Sequence, residues 1–232
     1  TFGRFVAALL YRGESHVMVV DSHVHFKPRW DVSLFRLLAE TVEANVVAAR
    51  DPNRWRTVVS HYPNAWNDQP SDLTSLSPLV NVMCTGHFHF LTGVLRLEAI
   101  KKPRGKARIQ PFAAAGFLFA DALVIHQVPF DPHLDYLFDG EEILYSVRLW
   151  THGWDLYSPS ENVLFHLYGR FNASRPFDVL KSHTGWAARK EVSTQRVQHL
   201  LQITMADDPA RRMVRRGELD VYFRRLDARI FA

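Results

Sequence analysis

The sequence predicts an α/β domain, and three observations lead there. Apolar residues at helical spacing alternate with short β-branched runs along the chain. Several of those runs stop abruptly at aspartate or histidine, as strands of α/β folds do at the ends where ligands bind. Of the 232 residues, 47% are apolar, which is enough to bury a sizeable core in one domain.

The elements follow in order. Phe2, Phe5, Val6, Leu9 and Leu10 recur at helical spacing, and Gly13 is placed to stop that helix. In HVMVVDSHVHF, from His16 to Phe26, Val17, Val19 and Val20 favour a buried strand that ends at Asp21-Ser22-His23. A helical pattern then starts at Trp30-Asp31 and runs through Phe35, Leu38 and Val42. Residues 46–49 and 57–60 read as strands, the second ending in His61-Tyr62-Pro63, and residues 64–77 as a polar loop. Residues 79–84 read as another strand. Alternation over 85–90 sets His87 and His89 on one face, more in keeping with the wetter side of a half-exposed strand than with zinc, and Phe88 and Phe90 on the other.

The basic run 101–108 reads first as a solvated connection, with a phosphate or an acidic partner as the second reading. Residues 111–117 are small, apolar and turn-prone, as expected where backbone passes close to a ligand or to another segment. Asp139-Gly140-Glu141-Glu142 precedes the helical pattern of Ile143, Val147 and Trp150, so two carboxylates occupy a first helical turn, where the helix dipole favours them. Gly153 closes that helix, 154–157 is extended, and the strand 162–165 delivers His166. Residues 194–203 read as a helix with Val197, Leu200 and Leu201 on one face. Arg211, Arg212, Arg215 and Arg216 open a basic amphipathic tail, read as packed on the domain with a solvated face.

The chemistry begins at Asp21 and His23. Two residues apart at a strand end, they can offer carboxylate oxygen and imidazole nitrogen to one divalent cation. An Asp and a Ser after a strand also open turns and cap helices, so this stretch alone leaves both readings open. Asp21-x-His23-x-His25 also resembles the metal-binding start of the amidohydrolase barrels. A barrel needs eight strands and further ligands, for which His87, His126 and Asp155 are available, but the chain is short for one and residues 129–170 would go unexplained.

Two separated blocks carry a more specific resemblance. VPFDPHLDYLFDGEEILYSVRLWTHGWDLYSP, followed by NVLFHLYGR, resembles the core of the polypeptide N-acetylglucosaminyltransferases that attach α-linked GlcNAc to hydroxyproline, serine or threonine. GRFVAALLYRGESHVMVVDSHVHF, followed by WD, resembles the metal-site region of the same family, in the same order. The similarity is clearest over residues 3–170. A more distant likeness is to the polypeptide GalNAc-transferases, through the Asp-Ser-His cluster, a Gly-Glu pair before a helix and a later metal-binding His.

The resemblance implies a GT-A type glycosyltransferase, with a mixed central sheet flanked by helices, which is retaining, takes UDP-GlcNAc and needs a divalent cation, Mn2+ or Mg2+. It makes Asp21, His23 and His166 the metal ligands. It sets Glu141 and Glu142 near the sugar and the acceptor hydroxyl, with Glu141 favoured and Asp139 as a neighbour. Asp21, Ser22, Gly116 and Trp154 become the donor contacts, although Trp150 and Trp154 also fit a core. The partners implied are a UDP-sugar and a protein or peptide acceptor. His25 stands where the family more often has arginine, and Asp139 where an aromatic residue is common. The family's uridine-binding strands are expected before Thr1, which makes residues 1–205 the larger C-terminal part of a catalytic domain and 206–232 a basic helical tail. A third reading is an inactive, transferase-like sugar-binding or scaffold module; the presence of all three metal ligands speaks for the enzyme.

Composition sets the remaining bounds. A formal net charge of +4 is a weak argument for a nucleic-acid partner, and none is expected. No apolar run is long enough to span a bilayer. Cys84 is the single cysteine, which leans towards the cytoplasm; the Golgi lumen is the alternative if an upstream anchor exists, and only there does the sequon Asn172-Ala173-Ser174 acquire meaning.

Overall fold

A computed structural model of the chain describes residues 2–66, 78–169 and 179–203. The elements run α1 (Phe2–Ala8), β1 (His16–Val20), β2 (Val24–Phe26), α2 (Trp30–Ala49), β3 (Thr57–Ser60), β4 (Asn64–Ala65), β5 (Leu79–Phe88), β6 (Leu95–Pro103), β7 (Arg108–Ile109) and β8 (Phe117–Asp121), and then α3 (Leu123–Gln127), α4 (Glu141–Thr151), β9 (Asp155–Ser158), β10 (Leu164–His166) and α5 (Trp186–Leu200). The fold is α/β with mixed sheets. A five-stranded sheet has the order β1-β8-β3-β9-β7, with β3 and β9 parallel and the other neighbours antiparallel. A second sheet has the order β2-β10-β4, and β5 and β6 form a separate ribbon.

Helices cover both faces of the larger sheet. Successive residues of a strand point to opposite faces, and in β3 Val58 packs with Val124, Ile125 and Leu149 while Val59 packs with Leu34, Leu37 and Leu38 of α2. A third cluster seats the β5–β6 ribbon on α4 and α5 through Met83, Leu97, Ile143, Leu144 and Val197. No helix among the described residues is long and apolar enough to cross a membrane.

Several expectations need correction. Residues 46–49 are the last turn of α2 rather than a strand. The backbone N–H of Arg50, with φ 52°, closes that turn on Val46 and Val47, and Val47 is 69% exposed, so the valine pair has no strand-like burial. β1 is an edge strand and is half-buried throughout. The two pieces read over 79–90 are largely one strand, β5, whose register shifts between Val82 and Thr85. Phe88 and Phe90 are exposed, with no layer among the described residues over that end of the ribbon, and His87 pairs with Glu98 at 2.9 Å. Val197 of α5 and Leu201 just past its end are buried, but Leu200 is exposed. The segments 67–77 and 204–232 lie outside the described residues, and so do the sequon and the basic tail.

One polar group ties α2 to the sheet. Buried Asn45 donates to Arg54 O at 2.7 Å and to Asp155 Oδ2 at 2.8 Å, and it accepts from Tyr157 Oη at 3.1 Å. Arg54 pairs with the same Asp155 carboxylate. Buried polar groups are costly to leave short of partners, so Asn45→Ala is expected to lower stability by about 2–3 kcal/mol, measured by urea unfolding. A loss well under 1 kcal/mol would mean that the network relaxes onto water.

His61, at the end of β3, packs edge-on against Phe117 with ring centroids 5.2 Å apart, and burial pushes its pKa down to about 3 from an ordinary 6.5. Between those values the unfolded chain carries a proton that the folded chain does not. Stability contributed by neutral His61 is therefore present above pH 6.5 and is lost as pH falls towards 3. The expected slope is at most about 1.4 kcal/mol per pH unit. Denaturant midpoints of the wild type and of His61→Leu between pH 4 and pH 7 check this: the variant should show the flatter profile.

Candidate metal centre

The site forms where the chain changes sheets. β1 ends at Val20 in the larger sheet and β2 begins at Val24 in the smaller one, so Asp21, Ser22 and His23 are the crossover. Three pairings fix them. Val20 lies opposite Phe117, and the Asp21 N–H donates to Gly116 O at 3.2 Å. β10 runs antiparallel to β2 with His166 opposite Val24, and the Leu167 N–H donates to His23 O at 3.1 Å. On the other side of β10, the Trp66 N–H donates to His166 O at 2.9 Å.

These contacts bring Asp21, His23 and His166 together, each with one ligating atom within 4.8 Å of the others. His166 Nε2 is 3.2 Å from Asp21 Oδ2, and the rings of His23 and His166 are 4.2 Å apart between centroids. His166 is buried and the other two are half-buried, which gives a pocketed but reachable donor set. One carboxylate and two imidazoles suit a divalent transition ion such as Mn2+, and the oxygen ligand also admits Mg2+. The hydrogen bond with His166, helped by the Arg4 charge, holds the Asp21 carboxyl below the usual carboxylate range against the opposing effect of burial. Tyr168 completes one wall: its ring lies 4.1 Å from that of His166, and its hydroxyl donates to Pro63 O at 2.8 Å.

The carboxylates at the start of α4 adjoin this cluster through the segment 113–117. Glu142 Oε1 accepts from the Ala115 N–H at 2.8 Å and Oε2 from Tyr62 Oη at 2.5 Å. Burial pushes the Glu142 carboxyl up, and those two hydrogen bonds restrain the shift. Burial also pushes the Tyr62 phenol up, so Tyr62 remains a donor. Glu141, 7% exposed, is gripped by Arg4 of α1, whose Nη1 reaches Oε1 at 2.9 Å and Oε2 at 2.8 Å.

The other sequence-predicted residues sort as follows. Ser22 is exposed beside His23, its Oγ 3.4 Å from Nδ1. Gly116 lies against Asp21: a Cβ built there would stand 3.1 Å from Asp21 Oδ2. Asp139 pairs with Arg96 of β6 at 3.4 Å. Trp154 is fully buried in the core beneath α3 and α4, where its indole N–H donates to Gln127 at 3.0 Å, so it is a packing residue without a face for a sugar. The barrel ligands are scattered: His87 pairs with Glu98, His126 stacks edge-on with Tyr11, and Asp155 belongs to the Asn45 network. The mixed sheet is also not a closed parallel barrel. Arg4, Tyr62 and Tyr168 were not singled out from the sequence. Arg4 sits among apolar residues of a short helix and gives no signal, whereas Tyr62 and Tyr168 both lie within two residues of a strand end that carries a histidine.

The family described as Glycosyltransferase (GlcNAc) matches residues 1–222 of the chain. No curated protein matches it. Among solved structures, the crystal structure of GalNAc-T7 with UDP, GalNAc and Mn2+ is 14% identical with a TM-score of 0.44, over 97% of this chain and 40% of that one. The chain therefore spans 40% of the length of that protein.

The contact at Gly116 makes a prediction. A methyl group at 3.1 Å from Asp21 Oδ2 forces the carboxylate aside by a few tenths of an ångström, and Oδ2 is the oxygen that meets His166. Gly116→Ala is expected to weaken Mn2+ binding about 3- to 10-fold while the fold persists, roughly 1 kcal/mol, read from the electron paramagnetic resonance signal of free Mn2+. Equal affinities would show that Asp21 is not held in place by this contact.

Proposed function

The chain belongs to the GlcNAc glycosyltransferase family, and we propose that it acts as a retaining, metal-dependent transferase of GT-A type that moves GlcNAc from UDP-GlcNAc to a hydroxyl of a protein acceptor, on hydroxyproline, threonine or serine. The observation that supports this reading best is the convergence of Asp21, His23 and His166, the first and last of them 145 positions apart, into one donor set. A divalent cation held there supplies a Lewis acid for the charge that develops on a departing diphosphate.

The chain's own residues do the rest. Asp21 and the two histidines hold the ion, and Ser22, beside them, faces the donor. Glu141 and Glu142, fixed by Arg4, Tyr62 and the Ala115 amide, orient sugar hydroxyls, with Glu141 the favoured one of the two. In the transfer the bond from the sugar C1 to the phosphate oxygen breaks and a bond from C1 to the acceptor oxygen forms on the same face. The acceptor proton passes to the leaving phosphate oxygen, which leaves UDP and the glycosylated acceptor. His25, where the family more often carries arginine, has its ring 3.8 Å from that of Trp66.

Calorimetric titration of UDP-GlcNAc into the protein, with and without Mn2+, tests the proposal, with UDP-GalNAc as comparator. The expected result is binding that requires Mn2+, favours UDP-GlcNAc and is lost in folded Asp21→Asn and His166→Ala. Binding that ignores the metal, or absence of binding, would sink it.

A further inference from the structure

Arg4 stands between the metal cluster and the carboxylates of α4. Its Nη2 is 3.6 Å from Asp21 Oδ1 and donates to Ala115 O at 3.1 Å, while its Nη1 grips both oxygens of Glu141. The two oxygens of Asp21 are thereby divided: Oδ1 turns to the guanidinium, and Oδ2 turns to His166 Nε2 at 3.2 Å. The segment between them is held from both sides, Ala115 N–H on Glu142 and Gly116 O under the Asp21 amide. We infer that Arg4 is a positioning residue that selects which oxygen of Asp21 faces the metal site and couples that site to Glu141 at the start of α4. This role rests on the metal-binding reading of Asp21, His23 and His166.

The chemistry asks for arginine. A planar fork serves a carboxylate pair and a carbonyl at fixed angles, whereas an ammonium is a point charge that satisfies one of them at a time. Three carboxylates, of Asp21, Glu141 and Glu142, crowd around one short segment, and Arg4 supplies the cation that bridges two of them. With Oδ1 engaged, Asp21 presents a single oxygen to an ion. Groups that orient a metal ligand from behind typically contribute 10- to 100-fold in affinity.

Mn2+ binding, followed by electron paramagnetic resonance on the wild type, Arg4→Gln, Arg4→Lys, Glu141→Gln, the Arg4→Gln/Glu141→Gln double variant and Asp21→Asn, tests this. Phe5→Ala is the control, because Phe5 packs α1 against the core and the change removes no charged group. Arg4→Gln is expected to weaken Mn2+ about 10-fold or more, with native circular dichroism, and Arg4→Lys to recover only part of the loss. Glu141→Gln, which removes no ligand, is expected to shift Mn2+ affinity in the wild-type background and to have no effect once Arg4 is gone. The inference is overturned if folded Arg4→Gln binds Mn2+ like the wild type, or if Phe5→Ala loosens it equally. Loss of binding in Asp21→Asn with no loss in Arg4→Gln removes the Arg4 role alone; Mn2+ binding that Asp21→Asn leaves unchanged removes the metal reading and the Arg4 role with it.

Discussion

Everything at the candidate centre depends on the close approach of β1 to the start of β8. The Asp21 amide bonds to Gly116 O, and the space beside Gly116 is too tight for a side chain without moving the Asp21 carboxylate. That approach fixes Asp21 relative to the turn 113–117, and the same turn offers the Ala115 amide to Glu142 and the Ala115 carbonyl to Arg4. The run of small residues is thus explained by backbone contact: side chains larger than methyl would keep the helix carboxylates and the strand-end aspartate apart.

The second constraint is a change of sheet. Strand β1 belongs to the larger sheet and β2 to the smaller, with three residues between them, two of which are potential ligands. Of these three residues Ser22 is exposed and Asp21 and His23 are half-buried, so the ligand atoms stay reachable. The partner strand β10 then brings in His166 as a consequence of pairing with β2. Geometry of this kind explains how an aspartate and two histidines remain clustered in a domain whose other histidines are spread over unrelated contacts.

Elements set by local pattern were legible in the sequence, and those set by layering were not. The Gly-Glu-Glu start of α4, the strand before Asp21 and the strand end at His166 follow from abrupt changes between apolar and polar residues. The end of α2 was misread because Val46 and Val47 have β propensity, while Asn45 anchors the preceding turn to β9 through Asp155 and Tyr157, contacts that no local pattern displays. Phe88 and Phe90 misled in the opposite sense: alternation assigned them a face, but among the described residues no layer covers it. Trp154 shows the same limit at the site, since an aromatic residue near a ligand motif reads alike whether its ring meets a sugar or, as here, the core.

The electrostatics give the site its direction. Asp21 is held ionised by His166 and Arg4, and Glu142 is pushed the other way by burial, although both touch the same five-residue turn. Carboxylates whose environments differ in this way divide their tasks: one suits an ion, the other a hydrogen-bonding position that a neutral or an anionic form can fill. Tyr62 reinforces the division, because a phenol with a raised pKa donates to Glu142 without competing for a metal. Arg4 joins the two halves from a helix otherwise attached through apolar contacts, so one guanidinium meets both the Asp21 and the Glu141 carboxylates.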